Sequence, residues 1–539
     1  MDQHTTISDM FASVCKQYKD TPAFTCLGKS ITFGELDILS RDFAAYLQHH
    51  TTLAPGDRLA VQLPNILQYP VVLFGAIRAG VVIVNTNPLY TGRELEHQLA
   101  DSGAKVLVVL ANLSKAAEEV IDKTNIQHVI VTEVADLHGF PKRQLINGVL
   151  RYIKKQVPTC YFPSSVKFRR ALALGKRDDF TDVHRDPNDL AFLQYTGGTT
   201  GVAKGAMLSQ SNMLGNNRQI LKIWDQYLDK GKESWLAPLP LYHIYGFMMH
   251  CMVLFSVGGQ SVLIPNPREL DTVVKAFQKN KLTGMVGLNT LFVALLRNQT
   301  FKNLDFSSLH YTISGGMALL EDTANHWAEL VGNRPIEGYG LTETSPVVTS
   351  NDPKNPLVNT IGLALPETEL KVIDEDGNPQ ATGEPGELCV KGPQVMQGYW
   401  QREEATAGVL SHDGWLRTGD IATIAEDGYV RIVDRQKDMI IVSGFNVYPN
   451  EVENVLTSHP EIIEAAVIGI DDENSGEAVK AFIVRTEGSE IEDHEIKAYC
   501  RESLTAYKVP RHYEFRTELP KTNVGKVLRR ELREEKPAD

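Results

Sequence analysis

Residues 195–206 combine glycines, hydroxyl side chains and one lysine in a pattern that suits phosphate binding. They read YTGGTTGVAKGA, that is Tyr195, Thr196, Gly197, Gly198, Thr199, Thr200, Gly201, Val202, Ala203, Lys204, Gly205 and Ala206. Glycines let backbone N–H groups converge on an anion, the threonines add hydroxyl donors, and Lys204 adds a compact positive charge. The alternative is a glycine-rich hairpin without a ligand, but a plain turn does not require three threonines and a lysine. The stretch therefore predicts a phosphate-binding loop.

This loop differs from both common nucleotide fingerprints. A Walker A loop requires Ser or Thr after its lysine, whereas Gly205 follows Lys204 here. The G-x-G-x-x-G spacing also fails, both in the loop and at residues 338–340. Residues 190–195 and 205–209 have strand-like composition, so we expect the loop to join strand to strand rather than strand to helix.

Strand-like and helical patterns alternate through the first part of the chain. The order is strand 105–110, helix 112–123 and strand 127–133, and later strand 311–314, helix 319–331 and strand 335–339. This alternation predicts mostly parallel sheets covered by helices. Thr32 and Glu35 form a capping box that predicts a helix start, and Ser209 or Ser211 predicts another.

From about residue 360 the sequence changes character. Short runs such as ELKVI and GELCV are separated by turn residues, which is typical of antiparallel strands. A compact unit follows, with helices expected near 449–458 and 493–504 and strands near 465–469 and 479–485. We therefore predict domains of residues 1–433 and 434–539, with the hinge near Asp434.

Bulk properties narrow the functional class. The 539-residue chain exceeds the size of a single hydrophobic core, and its formal charge of -13 argues against nucleic acid as a main partner. Six widely spaced cysteines without a CxxC pair favour reduced thiols over a disulfide framework or a zinc site. The N-terminal residues do not resemble a signal peptide, and no uninterrupted apolar stretch predicts a membrane-spanning helix. We expect a cytoplasmic protein.

Further motifs accompany the loop: PLYHIYGF (240–247), SGGM (314–317), EGYGLTETSP (337–346), WLRTGD (415–420), RIVDRQKDMIIVSGFNVYPNEVE (431–453) and PKTNVGKVLRREL (520–532). In this order they resemble the adenylate-forming (AMP-binding) superfamily from about residue 190 to the end. Residues 86–99 and 389–400 are most similar to its bacterial long-chain fatty-acid–CoA ligases. The resemblance implies an α/β fold with a large N-terminal domain of mostly parallel sheets layered with helices. It also implies a distorted β-barrel-like subdomain and a small mobile α+β C-terminal domain.

Members of this superfamily activate a carboxylate in two half-reactions. Carboxylate and ATP give acyl-AMP and pyrophosphate, and the thiol of coenzyme A then displaces AMP. A carboxylate side chain beside phosphates requires a cation between them, and oxygen ligands suit Mg²⁺. The resemblance implies that Glu343, with Thr196, holds this ion and that Thr342 contacts the α-phosphate. It makes Lys526 catalytic, since a cation must lie between the attacking carboxylate and the triphosphate. Without the resemblance, Lys526 and its basic neighbours could form only a solvated face.

The resemblance also implies residues for the adenosine. They are Gly315, Gly316, Gly338, Tyr339, Asp420 and Arg435. Tyr339 offers a flat face for adenine, and the small glycines leave room for the base. Asp420 suits the ribose hydroxyls, and Arg435 reaches the same sugar. Taken alone, Tyr339 would be a core residue and Asp420 a turn residue.

The second half-reaction involves the small domain. In this superfamily that domain rotates, withdraws the lysine, and presents a Ser-Gly-Phe segment to a pantetheine tunnel. Ser443, Gly444 and Phe445 match this segment, and Asp434 matches the hinge.

The acyl side of the pocket is less well specified. The resemblance places His243 near the acyl carboxylate, although a lone histidine would be a core residue. Tyr245 and Phe247 stand where long-chain enzymes often have other apolar residues, which leaves the pocket width open. The apolar runs 248–257 and 286–296 fit an alkyl pocket or the core equally well.

A basic segment interrupts this acidic chain. Residues 141–177 contain ten lysines and arginines and no acidic residue. Apolar side chains within 145–157 follow helical spacing, with basic side chains on another face. Such a helix can lie on anionic lipid at the inner face of the cytoplasmic membrane, or it can pack on its own domain. The sequence leaves both arrangements open, and homodimer formation as well.

Three functions remain to be distinguished. The first is ATP-dependent activation of a long-chain fatty acid and its transfer to coenzyme A. The second is the same chemistry on a medium-chain or aromatic carboxylate, or acyl transfer to a carrier protein. The third, a non-catalytic acyl-nucleotide sensor or fatty-acid binder, predicts the loss of Lys526 or Glu343, and both are present. We expect fatty acid, ATP and coenzyme A as the substrates.

Overall fold

The computed structural model describes residues 4–163, 165–196, 203–443, 445–472, 475–522 and 525–534. Two large sheets, a four-stranded antiparallel sheet and a five-stranded C-terminal sheet organise them. This arrangement confirms the predicted α/β fold with its α+β C-terminal domain. The region predicted to form a distorted β-barrel-like subdomain contains the four-stranded antiparallel sheet.

The first large sheet carries the predicted phosphate loop at its edge. Its seven strands are, in spatial order, Ser165–Lys167, His128–Thr132, Val106–Leu110, Arg58–Gln62, Val82–Asn85, Leu190–Thr196 and Lys204–Ser209. All neighbours are parallel except the last pair, which is antiparallel. Val106–Leu110 is buried along its whole length, as expected for a parallel strand covered on both faces.

The second large sheet has nine strands. In spatial order they are Leu363–Ala364, Val347–Ser350, Ile336–Gly340, Tyr311–Ser314, Gly284–Gly287, Ser234–Ala237, Gln260–Leu263, Pro22–Cys26 and Lys29–Thr32. The strands from Ile336–Gly340 to Pro22–Cys26 are parallel, and the flanking ones are antiparallel.

Helices cover these sheets. The α-helices are Ile7–Gln17, Phe33–His50, Gln68–Arg78, Gly92–Ser102, Ser114–Val120, Lys142–Gly148, Phe168–Gly175, Gln210–Trp224, Ile244–Phe247, Leu254–Ser256, Leu270–Lys279, Asn289–Arg297, Gln299–Lys302, Glu321–Val331 and Glu403–Ala407. The predicted capping box of Thr32 and Glu35 is present, and Ser209, not Ser211, caps the next predicted helix. Phe11, Phe74 and Phe255 stack with ring centroids 4.4–5.6 Å apart, in a core continuous with both sheets.

The remaining residues form two smaller units. The antiparallel sheet consists of Glu369–Ile373, Gly386–Lys391, Leu416–Ile424 and Val430–Arg435. The C-terminal unit contains strands Ile440–Val442, Phe445–Val447, Ile462–Asp472, Gly476–Arg485 and His512–Arg516 and helices Pro449–Thr457, Asp493–Ser503 and Arg529–Glu534. The proposed boundary near Asp434 falls at the end of a strand and stays a prediction.

The basic segment forms a helix shorter than expected. Lys142–Gly148 is α-helical, continues as a wider turn over Val149–Ile153, and ends there, where Lys155 adopts a positive φ of 51°. Among the described residues no helix is both long enough and apolar enough to cross a bilayer. All six cysteines are described, and none forms a disulfide bond.

Candidate active site

A cavity of about 2660 Å³ lies between the large domain, the antiparallel sheet and the C-terminal unit. Its wall contains most of the predicted site residues, namely Tyr195, Thr196, Lys204, His243, Gly315, Gly316, Gly338, Tyr339, Thr342, Glu343, Asp420, Arg435 and Lys526. Gly197, Gly198, Thr199, Thr200, Gly201 and Gly444 lie outside the described residues. Ligands of open α/β sheets bind beyond the carboxyl ends of the strands, where Ser314 and Gly340 meet this cavity.

The phosphate loop opens between two paired strands, as predicted. Thr196 and Lys204 are opposite each other in the antiparallel register, so both stand at the mouth of the loop. Tyr195 turns its hydroxyl away to donate to Asp101 over 2.7 Å, and Asp101 also pairs with Arg402 at 2.6 Å. Burial raises the pKa of Tyr195, which therefore stays a neutral donor. Tyr195 anchors the loop, while Thr196 and Lys204 are placed to meet a ligand.

Glu343 lies in a tight turn that follows strand Ile336–Gly340. The turn spans Thr342–Thr344, and the Thr344 hydroxyl fixes it by donating to the carbonyl of Pro346 over 2.6 Å. One oxygen of Glu343, Oε1, accepts a hydrogen bond of 2.7 Å from the hydroxyl of Tyr399. The sequence carries no local signal for this contact of Tyr399, because its pairing with Glu343 depends on long-range register.

Asp420 is held in a small polar network. It is buried and lies opposite Arg435 on neighbouring antiparallel strands, with Arg435 Nε 3.2 Å from its Oδ1. The Tyr339 hydroxyl donates to its Oδ2 over 2.5 Å. Burial, reinforced by the Asp420 charge, raises the pKa of Tyr339 well above its ordinary value, so the phenol stays a donor. Each carboxylate oxygen keeps a second lone pair for a ligand hydroxyl.

Lys526 projects from a turn of the C-terminal unit into the cavity. The turn is closed by Gly525 N–H donating to Thr522 O over 2.9 Å and by Lys526 N–H donating to the Thr522 hydroxyl over 3.1 Å. Burial lowers the pKa of Lys526 to about 8, and repulsion from Arg435 adds to the effect, while Asp420 and Glu343 oppose it. The charge of Lys526 therefore interacts with both Asp420, predicted to bind the ribose, and Glu343, predicted to bind the metal ion.

Four of the other cations near Lys526 have a carboxylate partner, whereas Lys437, whose charge also acts on Lys526, forms no ion pair among the described residues. The pairs are Lys521–Glu464 at 2.6 Å, Arg529–Glu453 at 2.7 Å, Arg533–Asp438 at 3.0 Å and Arg530–Glu534 at 3.6 Å. Within the part of the chain that the structure describes, Lys526 forms no such ion pair. The charge of Lys526 is left available for an anion in the cavity.

His243 enters the cavity wall as a neutral imidazole. It caps the short helix Ile244–Phe247, and its Nδ1 accepts the backbone N–H of Tyr245 over 3.3 Å. Burial lowers the pKa of His243 to about 4, and the charge of Lys526 adds to this effect. Because Nδ1 accepts a hydrogen bond, the proton of the neutral ring resides on Nε2.

The cavity wall continues with apolar side chains. They include Ile220, Trp224, Met249, Ile313, Val347, Ile361 and Leu365. Of the two apolar runs left open above, 248–257 contributes Met249 to the wall, and 286–296 contributes Val293 and Leu296. Most other members of 248–257 belong to the core. Tyr245 lines the cavity, whereas Phe247 is buried edge-on against Phe192.

Glu337 is a second wall residue to which the sequence analysis gave no role. It is almost completely buried, and its Oε1 accepts the backbone N–H of Leu319 over 3.1 Å. Burial raises its pKa to about 8, so this carboxyl group is largely protonated at neutral pH. The sequence shows Glu337 within the EGYG motif, but it does not indicate that the side chain is buried.

Ser443 and Phe445 are not part of the cavity wall. Phe445 is 57% exposed and stacks on Tyr507 with ring centroids 4.9 Å apart. Asp434 is fully buried and accepts N–H bonds of 2.7 Å from both Arg435 and Asn450. Of these residues of the C-terminal unit, Lys526 lines the cavity, and Ser443 and Phe445 do not.

The fold and this cavity define an AMP-binding enzyme. The chain belongs to the AMP-binding enzyme family, which matches residues 11–400, and the AMP-binding enzyme C-terminal domain matches residues 451–526.

Relatives that match almost the whole chain indicate a narrower class of enzyme than the family does. The long-chain-fatty-acid–CoA ligase of Escherichia coli O157:H7 is 50% identical over 535 residues, which cover 99% of this chain and 95% of the relative. That of Bacillus subtilis (strain 168) is 38% identical over 538 residues, covering 98% and 94%. The crystal structure of ATP-bound MatB from Rhodopseudomonas palustris superposes with a TM-score of 0.84 at 29% identity and covers 98% of both chains. These similarities confirm the resemblance stated from the motifs.

Proposed function

We propose that this protein is an ATP-dependent long-chain fatty-acid–CoA ligase that acts through an acyl-AMP intermediate. The observation that carries the proposal is the convergence of Glu343, Asp420 and Lys526 on one cavity from three separate elements. The ligases of similar length from Escherichia coli and Bacillus subtilis support the substrate class.

In the first half-reaction a carboxylate oxygen of the fatty acid attacks the α-phosphorus of ATP. A new P–O bond forms, the bond from that phosphorus to the bridging oxygen breaks, and pyrophosphate leaves with the electron pair. Lys526 offsets the repulsion between the two anions, and His243 directs its Nε2 proton to a carboxylate oxygen. Asp420 holds the ribose, and Tyr339 covers the adenine.

Glu343 and Thr196 fit an Mg²⁺ ion that arrives with the triphosphate. Hard oxygen donors suit this ion, and Mg²⁺ is usually bound by one or two carboxylates together with substrate phosphates. Glu343 Oε1 is already fixed by Tyr399, so the carboxylate is oriented before a ligand binds. When bound, the ion supplies charge neutralisation at the phosphates.

In the second half-reaction the sulfur of coenzyme A attacks the acyl carbonyl carbon. A C–S bond forms, the C–O bond to AMP breaks, and the thiol proton passes to solvent. For this step the C-terminal unit rotates about Asp434, which moves Lys526 out of the cavity and brings Ser443 and Phe445, with Gly444, toward the pantetheine. The described arrangement, with Lys526 facing the cavity, corresponds to the first half-reaction.

A substrate panel tests the proposal. Purified enzyme is given acids of different chain lengths and an aromatic acid, and pyrophosphate release and CoA ester formation are followed separately. We expect both products with long-chain acids, because the cavity wall includes apolar side chains such as Trp224, Met249 and Ile313. Acyl-AMP formation without consumption of coenzyme A would reject the ligase assignment, and a preference for aromatic acids would favour the alternative substrate class.

The protein also contacts anionic membranes through the segment 140–161. Apolar side chains point into solvent along one side of its helix, with Leu145 63%, Tyr152 76% and Ile153 75% exposed. The flanking side chains are cationic, at Lys142, Arg143, Lys154 and Lys155. Each cation near such a surface contributes about 1 kcal/mol, and the apolar side chains insert into the interface.

Sedimentation with vesicles tests this contact. We expect binding to anionic vesicles that weakens with salt and with the double substitution Leu145→Ser and Ile153→Ser. The matched control is Leu89→Ser, which removes an exposed leucine outside the segment. Equal binding by the double variant and the parent would reject the segment as the contact.

A further inference from the structure

Tyr399 connects the two halves of the proposed phosphate site. Its hydroxyl donates to Glu343 Oε1 over 2.7 Å, and the ammonium group of Lys204 lies 5.0 Å from the centre of its ring. One side chain thus contacts both the proposed metal ligand and the lysine of the phosphate loop.

The backbone holds Tyr399 in this position. Residues 396–400 run alongside strand Lys204–Ser209, with Trp400 N–H donating to Gly205 O over 2.8 Å and Met207 N–H donating to Gly398 O over 2.9 Å. At the start of the segment, Met396 N–H donates to Glu343 O over 2.8 Å. The segment that carries Tyr399 is therefore hydrogen-bonded both to strand Lys204–Ser209 and to the Glu343 turn.

The ring also separates two opposite charges. Lys204 and Glu343 form no ion pair in the described part of the chain, although both contact Tyr399. A direct pair would occupy the carboxylate that suits a cation and the ammonium group that suits a phosphate. The aromatic face still attracts the ammonium group. The Tyr399 hydroxyl bonds only Oε1 of Glu343, so this contact does not occupy Oε2.

We propose that Tyr399 is a positioning residue that orients Glu343 toward the metal of MgATP and keeps Lys204 on the phosphate side of the loop. This inference rests on the proposed metal role of Glu343. A hydrogen bond to a charged group is stronger than one between neutral groups. Its loss should weaken metal binding at this site on the order of tenfold.

Direct metal binding gives the clearest test. The dissociation constant of Mn²⁺ is measured by electron paramagnetic resonance with the full-length protein saturated with α,β-methylene-ATP. Tyr399→Phe keeps the ring and removes the hydroxyl, and it should raise this constant about tenfold while leaving metal-free nucleotide binding unchanged. Tyr399→Leu also removes the ring, and it should weaken metal-free nucleotide binding because Lys204 is released toward Glu343.

Kinetics then separate positioning from general damage. In Tyr399→Phe, the Mg²⁺ concentration needed for half-maximal pyrophosphate formation should rise about tenfold, with kcat recovered at saturating Mg²⁺. Tyr311→Phe is the matched control. Its hydroxyl donates to the carbonyl of Tyr227, and neither residue lines the cavity. It should leave both quantities unchanged.

Two outcomes overturn the inference in distinguishable ways. If Glu343→Gln loses Mn²⁺ affinity but Tyr399→Phe binds Mn²⁺ as the parent does, Tyr399 has no positioning role. If Glu343→Gln also binds Mn²⁺ normally, the proposed metal role of Glu343 fails as well.

Discussion

If Lys526 acts in adenylation as proposed, we expect its lowered pKa to make that step sensitive to alkaline pH. With a pKa of about 8 in the free enzyme, the protonated fraction falls from about 0.76 at pH 7.5 to about 0.03 at pH 9.5. If only the protonated lysine supports attack on ATP, kcat/KM for pyrophosphate formation should fall about 25-fold over this range, since kcat/KM reports ionisations of the free enzyme.

The assay compares the two half-reactions. Pyrophosphate formation is measured from pH 7.5 to 9.5, and CoA ester formation is measured from preformed acyl-AMP over the same range. Lys526→Arg keeps its charge throughout, so its residual adenylation should lose the alkaline decline. Lys526→Ala should lower adenylation about 10²–10³-fold and spare much of the second half-reaction. A flat profile in the parent, or unchanged adenylation in Lys526→Ala, would refute the reasoning.

Unfolding does not explain such a decline. The folded protein lowers the pKa of Lys526 from 10.5 to about 8, so the unfolded chain binds this proton more tightly. Between these two values the stability contributed by this group rises with pH, whereas the rate falls. Thermal melting of Lys526→Met at pH 7 should accordingly match or exceed that of the parent.

Three further substitutions probe the site and its supports. Asp420→Asn should raise KM for ATP about tenfold, measured by pyrophosphate release, because it weakens the network with Tyr339 and Arg435; an unchanged KM would contradict the ribose assignment. Thr32→Ala should lower the free energy of unfolding by about 1 kcal/mol in urea titrations without changing kcat, through loss of a helix cap. Arg529→Met should destabilise the C-terminal unit by about 3 kcal/mol, since it removes the cationic partner of Glu453 and leaves Asp438 with Arg533 alone; cooperative unfolding at the parent's urea midpoint would argue against this.

Local signals predicted much of the fold. The capping box at Thr32 needs only residues within one turn, and the strands on either side of the phosphate loop follow from short runs of suitable composition. The basic helix was predicted to 157 and ends at Ile153. Helix ends depend on local backbone geometry, such as the positive φ of Lys155, that apolar spacing does not encode.

The site could be predicted only where a motif carried the residue. Glu343, Asp420 and Lys526 were named from motifs, and the fold brings all three to one cavity. Tyr399 was part of a quoted motif, but its contact with Glu343 arises from pairing between residues 396–400 and a strand almost two hundred positions earlier. Glu337 was missed because its raised pKa comes from burial, which the composition of a strand does not specify.

Asp434 explains how the protein could favour the first half-reaction before ATP is consumed. Its buried carboxylate accepts N–H bonds from Arg435, the next residue in the chain, and from Asn450 in the first turn of helix Pro449–Thr457. Burial raises its pKa to about 6, although the Arg529 charge opposes this. Rotation that separates Asn450 from Asp434 leaves a buried acceptor unsatisfied, which costs about 1–3 kcal/mol. In the proposed rotation, the binding of coenzyme A or the release of pyrophosphate would therefore have to offset this cost.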